Sequence, residues 1–411
     1  MDMKVRHWVW LWLAPLAGAQ PLSTLVEEAL RNNREILAAQ KKVEAMRQRP
    51  ARESSLPDPS LSLGWASNGR PWPGAGLGVN ATSNLGVMVS QEVPAPGKRK
   101  LRGEIADKEA AAAFDEYLVT RLRVVSRLKQ AYHELHHAAV AIGFVDRYQE
   151  LLENILRISE ARYAVGRGAQ QDILRAQTQL AIFETGRVRY EQEREARQIE
   201  IDALLNRPHG GRIEIPAEMT AGEMPAPLED MLAQARAHSP LVGRSRDVVQ
   251  GNELAASLAR KDYAPDYTIS GGYFNQGGMP PMWEARVDFK LPAYFWRKQR
   301  AAVGEREASA SQARHEYAAA VLETEAGIRE QYSEAAAARK LVDLYEKSVI
   351  PEARLAYESA LAGYQAGRAD FIALFTSFTS VMDYELMDHE EIMRFHVALA
   401  KLEELTGVES K

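Results

Sequence analysis

Tyr163-Ala-Val-Gly166-Arg167-Gly168 returns 201 positions later as Tyr364-Gln-Ala-Gly367-Arg368-Ala369. Each copy follows one long helical pattern and precedes another, so each glycine-centred turn reads as the tip of a long helical hairpin. The offset holds beyond the turns. Leu204-Leu205-Asn206 matches Leu405-Thr406-Gly407, so nothing is inserted between the two hairpins. Two tips in register mean a duplicated unit of about 200 residues.

Working outward from the first tip, residues 98–165 contain no proline. Leu118, Leu122, Val125, Leu128, Tyr132, Leu135, Ala139, Ile142, Val145, Tyr148, Leu152 and Ile155 fall three or four apart, the seam of a coiled coil. Such a helix runs on the order of 100 Å, longer than an ordinary globular core needs. The return helix, from about residue 170, closes at Asn206-Arg-Pro208. Upstream, one helix is expected from Leu22 to about Arg49, ended by Pro50 and Pro57-Asp-Pro59. Leu61, Leu63 and Trp65, then Leu85, Val87, Val89, Gln91 and Val93, alternate with the two-residue period of strands. The second half repeats the order. A helix over 228–260 precedes strands at Tyr267 to Tyr273 and Trp283 to Leu291, and a hairpin follows, interrupted by glycines and Pro351. The expected organisation is a leader (1–19) and a first repeat (20–211) with strand pair 60–93 and hairpin 98–206. A linker (212–227) then joins a second repeat (228–411) with strand pair 266–291 and hairpin 296–406.

The 411 residues carry a net charge of −5, with no long run of like charge, which argues against nucleic acid as a partner. Absence of cysteine excludes disulfides, thiolate metal sites and a lipid-bearing N-terminal cysteine. Lys4 and Arg6 before the apolar stretch Trp8–Leu16, then Ala17-Gly-Ala19, read as a secretory signal peptide cleaved after Ala19. No later run of 18 apolar residues exists, so an exported chain is either soluble or enters a membrane as a β-barrel.

Strands of about ten residues cross the hydrocarbon layer when tilted. Four strands cannot close a barrel and open edges are not tolerated in lipid, so three chains giving twelve strands are the simplest closure. Trp65, Trp72, Tyr267, Tyr273, Trp283 and Phe289 suit the interfacial girdles. Lys98-Arg-Lys100, and Tyr294-Phe-Trp296 with Arg297, Lys298 and Arg300, read as anchors at a membrane–water interface. The fold class is therefore mainly α with a β-barrel part: duplicated helical hairpins, plus four strands per chain in a trimer closing a twelve-stranded barrel. Two soluble β-hairpins capping a coiled coil, in an exported periplasmic scaffold, are the alternative.

One motif has a catalytic pattern. His133-Glu134-Leu-His136-His137 fits His-Glu-x-x-His, which puts two histidines on one helix face for zinc and a glutamate as base. It implies an exported metalloprotease, with His133 and His137 as weak metal candidates. Against it stand Tyr132 and Leu135 on the same seam, the alanine-rich match Glu334–Ala338 in the second repeat, and the lack of an evident third ligand. Gly74-Ala-Gly76-Leu-Gly78 has no helix starting after it, so it reads as a loop and not a phosphate cradle.

The whole mature chain resembles the TolC-type outer membrane efflux proteins. The resemblance rests on the two halves, the Tyr-x-x-Gly turns, Leu56-Pro-Asp-Pro-Ser-Leu61, and Gln91-Glu-Val-Pro-Ala-Pro-Gly-Lys-Arg99. The last is similar to the strand-to-helix junction of the heavy-metal efflux branch. What the resemblance implies is a homotrimeric, passive exit duct in the outer membrane of a Gram-negative-type cell, with a helical tunnel in the periplasm. It implies no catalysis and no cofactor. The implied partners are outer-membrane lipid, a periplasmic adaptor (membrane fusion protein) and an inner-membrane pump of RND type. By the same resemblance Tyr163, Gly166, Arg167, Tyr364, Gly367 and Arg368 are adaptor-docking tips, and Asp172 and Asp370 are gate candidates with Arg167 or Arg368 as counter-charges. Ala373 and Thr376 stand where drug-efflux relatives carry paired aspartates, so two stacked acidic rings are not expected. Metal ions, with metal resistance as the phenotype, small drugs, and type I secretion substrates are the cargo readings.

Overall fold

The computed structural model describes residues 22–68, 71–211, 213, 215–216 and 218–408; the expected leader lies outside them. Ten α-helices and four strands follow in order among these residues. They are α1 (Leu22–Asn32), α2 (Arg34–Met46), α3 (Arg49–Ser54), β1 (Ser60–Ala66), β2 (Asn84–Val93), α4 (Lys98–Ala164) and α5 (Gln170–Leu204). Then come α6 (Leu228–His238), α7 (Pro240–Lys261), β3 (Asp266–Asn275), β4 (Met282–Lys290), α8 (Lys298–Leu344), α9 (Ile350–Gln365) and α10 (Phe371–Thr406). Contacts divide the chain into two compact units.

One unit, residues 38–120 and 232–326, carries the strands. They form a single antiparallel sheet ordered β1-β2-β3-β4, so the two repeats meet at the β2–β3 pairing. Register brings the alternating apolar residues into rows: Leu63 opposite Val87, Val87 opposite Tyr273, and Tyr273 opposite Trp283. That face is uncovered, with Leu63 79% and Trp283 77% exposed. The other face is mostly small and polar, apart from Met88, Phe274 and Met282, and Ser270 Oγ donates to Ser90 Oγ at 2.9 Å. On it the Phe274 ring lies over Gly86 and Gly272, where an added Cβ would stand 2.1 and 2.8 Å from ring carbons. In the helices of this unit, buried Ala106, Ala113, Ala235, Ala256, Ala259, Ala310 and Ala313 let backbones approach closely.

The strand-to-helix junction corrects one expectation. Lys98 is not an interfacial anchor; it is buried, and its Nζ meets Asp262 at 3.0 Å and Asp266 at 2.9 Å. Asp266 also accepts from the Ala95 amide at 2.7 Å, so one carboxylate ties β3 to the start of α4. Lys100, Arg297, Lys298 and Arg300 remain exposed, as do Tyr294, Phe295 and Trp296.

The other unit holds residues up to Leu37, 121–231 and 327–411. From Val125 to Ile155 the seam of α4 is buried, Ala139 being half-buried. Val145, Tyr148, Leu152 and Ile155 pack with Ala176 and Phe183 of α5 and with Phe371, Leu374, Phe378 and Val381 of α10. Buried Glu385 of α10 accepts from Arg147 of α4 and from Arg354 of α9, the latter at 2.9 Å from Nε. The matched closures of the repeats share a backbone state: Asn206 has φ 54° and Gly407 φ 75°, both left-handed caps.

Four departures from the expected elements have local causes. The first helix is divided at Asn33, whose Oδ1 accepts from the Glu35 and Ile36 amides while its Nδ2 donates to the Leu204 carbonyl. Pro50 does not end a helix but sits in the first turn of α3, where its missing N–H costs nothing. The helix expected over 228–260 breaks at Ser239, and Pro240 opens α7. Before Pro351 the helix widens to a π turn, Tyr345–Val349, which absorbs the clash of a proline ring with the preceding turn.

Candidate functional site

Each tip is built by a glycine in the left-handed region. Gly166 has φ 73° and Gly367 φ 74°, and an ordinary residue is strained there. Around them the ends of the helices close by the same bonds. Gly166 N donates to Tyr163 O at 2.9 Å and Arg167 N to Arg162 O at 2.8 Å; Gly367 N donates to Tyr364 O at 3.0 Å and Arg368 N to Gly363 O at 2.8 Å. These reverse-turn bonds satisfy carbonyls that the helix leaves open.

The duplicated side chains do not share a fate. Tyr163 is 48% exposed, whereas Tyr364 is 2% exposed. The Tyr364 hydroxyl is 3.1 Å from Ser159 Oγ, and its ring is packed edge-on against Phe371 at 6.0 Å. Position 364 therefore offers a partner its backbone neighbours and not its ring. Arg162, which the sequence reading passed over, joins the two tips. Its guanidinium lies 4.5 Å above the Tyr364 ring, donates to the Tyr364 carbonyl, and reaches the Arg167 carbonyl at 3.4 Å. The signal in the sequence was slight, one basic residue in the last turn of α4.

Gly166, Arg167, Gly367 and Arg368 are all exposed. Asp370 is exposed too and acts as the N-cap of α10, its Oδ1 accepting from the Ala373 amide at 2.8 Å. Asp172 is half-buried in the first turn of α5, where a negative charge favours the helix N-terminus. Neither is brought against Arg167 or Arg368 among the described residues; Arg167 meets Arg162 through its carbonyl. The tips thus form an exposed, glycine-shaped, basic surface with an acidic group one turn behind each.

The zinc motif is absorbed by packing. Glu134 pairs with Arg197 at 2.8 Å, His133 Nδ1 lies 3.1 Å from Met219 Sδ, and His137 Nδ1 lies 3.4 Å from His389 Nδ1. Among the described residues no three histidine, aspartate or glutamate side chains converge as a metal-binding group. The loop Gly74–Gly78 is a run of turns whose Gly78 amide donates to the Gln276 carbonyl at 2.8 Å; it faces the other strand pair's loop.

With this geometry in place, likeness to known proteins can be read. Residues 25–207 match the family model of the outer membrane efflux protein. The fold extends over both repeats. The chain is similar to CusC, a structure concerned with transmembrane channel formation, with a TM-score of 0.80 at 15% identity, over 94% of this chain and 92% of that one. It is similar to the CmeC outer membrane channel of Campylobacter jejuni (TM-score 0.78, 16% identity, 99% and 93% covered). It is likewise similar to the open-state MtrE outer membrane channel of Neisseria gonorrhoeae (0.79, 18%, 94% and 89%). No curated protein sequence matches this chain. The TolC-type resemblance read from the tips and the junction thus stands on a family model and on solved channels. Two of these solved structures are described as outer membrane channels, and Glu134, the base position of the zinc motif, is held in an ion pair by Arg197.

Proposed function

We propose that the chain is the outer-membrane exit duct of a tripartite efflux system, working as a homotrimer. The observation that carries this reading is the sheet. One face is a continuous exposed apolar surface and both edge strands, β1 and β4, lack an outer neighbour among the described residues. In water such a face invites aggregation, and in lipid an open edge leaves backbone groups unpaired. Pairing β4 of one copy with β1 of the next, three times, satisfies both conditions with twelve strands. Exposed Tyr294, Phe295 and Trp296 beside Arg297, Lys298 and Arg300 support a membrane–water boundary at the end of the sheet.

The duct is passive. It offers polar solutes a water-filled route, and energy comes from an inner-membrane pump of RND type reached through a periplasmic adaptor. The exposed tips at Tyr163, Gly166, Arg167, Gly367 and Arg368 are the docking surface, with Tyr364 as its internal brace. Asp172 and Asp370 are the gate candidates. The leader at 1–19 supplies export. Metal ions are the favoured cargo, on the strength of the Gln91–Arg99 junction, ahead of small drugs and secreted proteins. Fractionation tests the location: the chain is recovered from outer membrane only with detergent, and release by osmotic shock sinks the reading. Gly367→Pro tests the tip, because proline cannot adopt φ 74° and removes the amide that bonds Tyr364. Export of a metal and drug panel is lost while trimers stay in the membrane. Trimers that export normally refute the docking role.

A further inference from the structure

Five histidines from distant parts of the chain meet in one seam. His133, His136 and His137 of α4 face His389 and His396 of α10. The rings of His133 and His396 stack at 4.6 Å, those of His136 and His389 at 5.2 Å, and His137 lies 5.6 Å from His389. Three of them also hold the linker between the repeats. His136 Nε2 is 2.9 Å from the Pro216 carbonyl, His396 Nε2 is 3.0 Å from the Thr220 carbonyl, and His133 Nδ1 reaches Met219.

Chemistry fixes the protonation these contacts need. A carbonyl only accepts, so Nε2 of His136 and His396 each carry the hydrogen. His136 is 0% exposed and its Nδ1 is buried without a partner, so a second proton there would find no acceptor. Between His137 and His389 one Nδ1 donates and the other accepts; protonating both sets two N–H groups head to head. The seam is built for neutral imidazole.

We propose that this seam is a proton-operated clasp: neutral, it pins Pro216, Met219 and Thr220 of the linker and the C-terminal half of α10 onto α4, and in mildly acid medium it lets them go. The surrounding charges do not neutralise it. On α4, Lys129 pairs with Glu403, and Glu134 with Arg197 of α5. On α10, Glu390 and Glu391 pair with Arg394. Glu193 and Glu390 favour a charged His137, and Arg394 opposes it. Glu200 of α5, Lys401 of α10 and Glu334 of α8 are further charged neighbours. Asp388, beside His389, is pushed up to about 6 by burial and by Glu346 and Glu385, so its protonation favours the closed state and opposes release. Burial, the largest cause, pushes His133 down to about 3 and His389 to about 4, and lowers His136, His137 and His396. The sign follows. The released state binds protons near the ordinary imidazole value of about 6.5, so the clasp is at full strength above that pH and weakens as pH falls toward 4.

The test uses the full chain in detergent and glutamyl endopeptidase, which cuts after Glu218 and Glu223 in the linker. Cutting, normalised to a free peptide, should be at least about tenfold faster at pH 5 than at pH 7.5, since each imidazole shifted by one unit carries a factor of about ten. His136→Leu with His389→Leu should lower that ratio severalfold, the remaining three imidazoles keeping part of it. Equal cutting at both pH values, or a ratio unchanged in the double variant, overturns the proposal. Hydrogen exchange on the unmutated protein guards against a variant that fails to fold. Residues 218–224 and 385–400 should lose protection between about pH 6 and 4.5, with more than one proton taken up, while β2 and β3 stay protected. Simultaneous loss in β2 and β3 means general acid unfolding and also refutes the clasp.

Discussion

Tyr163 and Tyr364 occupy equivalent places in the duplicated sequence, yet truncating them should have different effects. Tyr364 is buried among Ser159, Arg162 and Phe371, so Tyr364→Ala should cost about 2–4 kcal/mol in the tip-bearing unit, as for a large core residue. Tyr163→Ala, at a half-exposed ring, should change stability by under about 0.5 kcal/mol and instead weaken capture by the adaptor. Thermal unfolding and an adaptor pull-down separate the two. Both glycines of the tips were legible from the sequence, because a left-handed turn needs them whatever surrounds it. The asymmetry of the tyrosines was not, because it depends on Arg162, whose contact with the Tyr364 carbonyl spans 202 positions.

At the scale of elements, the junction between sheet and helix shows how burial changes a charge. Lys98 and Lys100 stand two residues apart and read alike in the sequence. Lys98→Ala deprives Asp262 and Asp266 of the cation they share, a loss of about 3 kcal/mol for breaking a buried network. Lys100→Ala removes an exposed i,i+4 pair with Glu104 and should cost no more than about 0.5 kcal/mol. Denaturant unfolding of the two variants decides it, and equal losses would contradict the buried assignment. The long helices themselves were readable, since a seam repeated every three or four residues leaves few other solutions. Their interruptions were less so. Asn33 and Ser239 break helices that apolar periodicity carries straight through, and the Asn33 break is supported by the distant Leu204 carbonyl.

For the whole molecule, the two open strand edges make the sharpest prediction. The chain has no cysteine, so a pair introduced on β1 and β4 reports only contacts between copies. Paired cysteines scanned along residues 60–66 and 282–290 should give, on oxidation, a ladder ending at trimer in denaturing gels, and only for protein extracted from membranes. A ladder running past trimer, or a monomer for every pair, would remove the twelve-stranded closure.

What the sequence determined by itself is whatever local sterics and periodicity encode: the strands, the rods, the glycine tips and their duplication. The first three are complete within a few tens of residues, and the duplication is read as a constant offset along the chain. Tertiary structure alone decided the pairing of β2 with β3, the burial of Lys98, the brace formed by Arg162 and the meeting of five histidines. Those contacts join positions 164 to 263 residues apart, where neither partner marks the other in the chain. Only folding brings them within reach, and only then does desolvation distinguish a buried lysine or imidazole from one left in water.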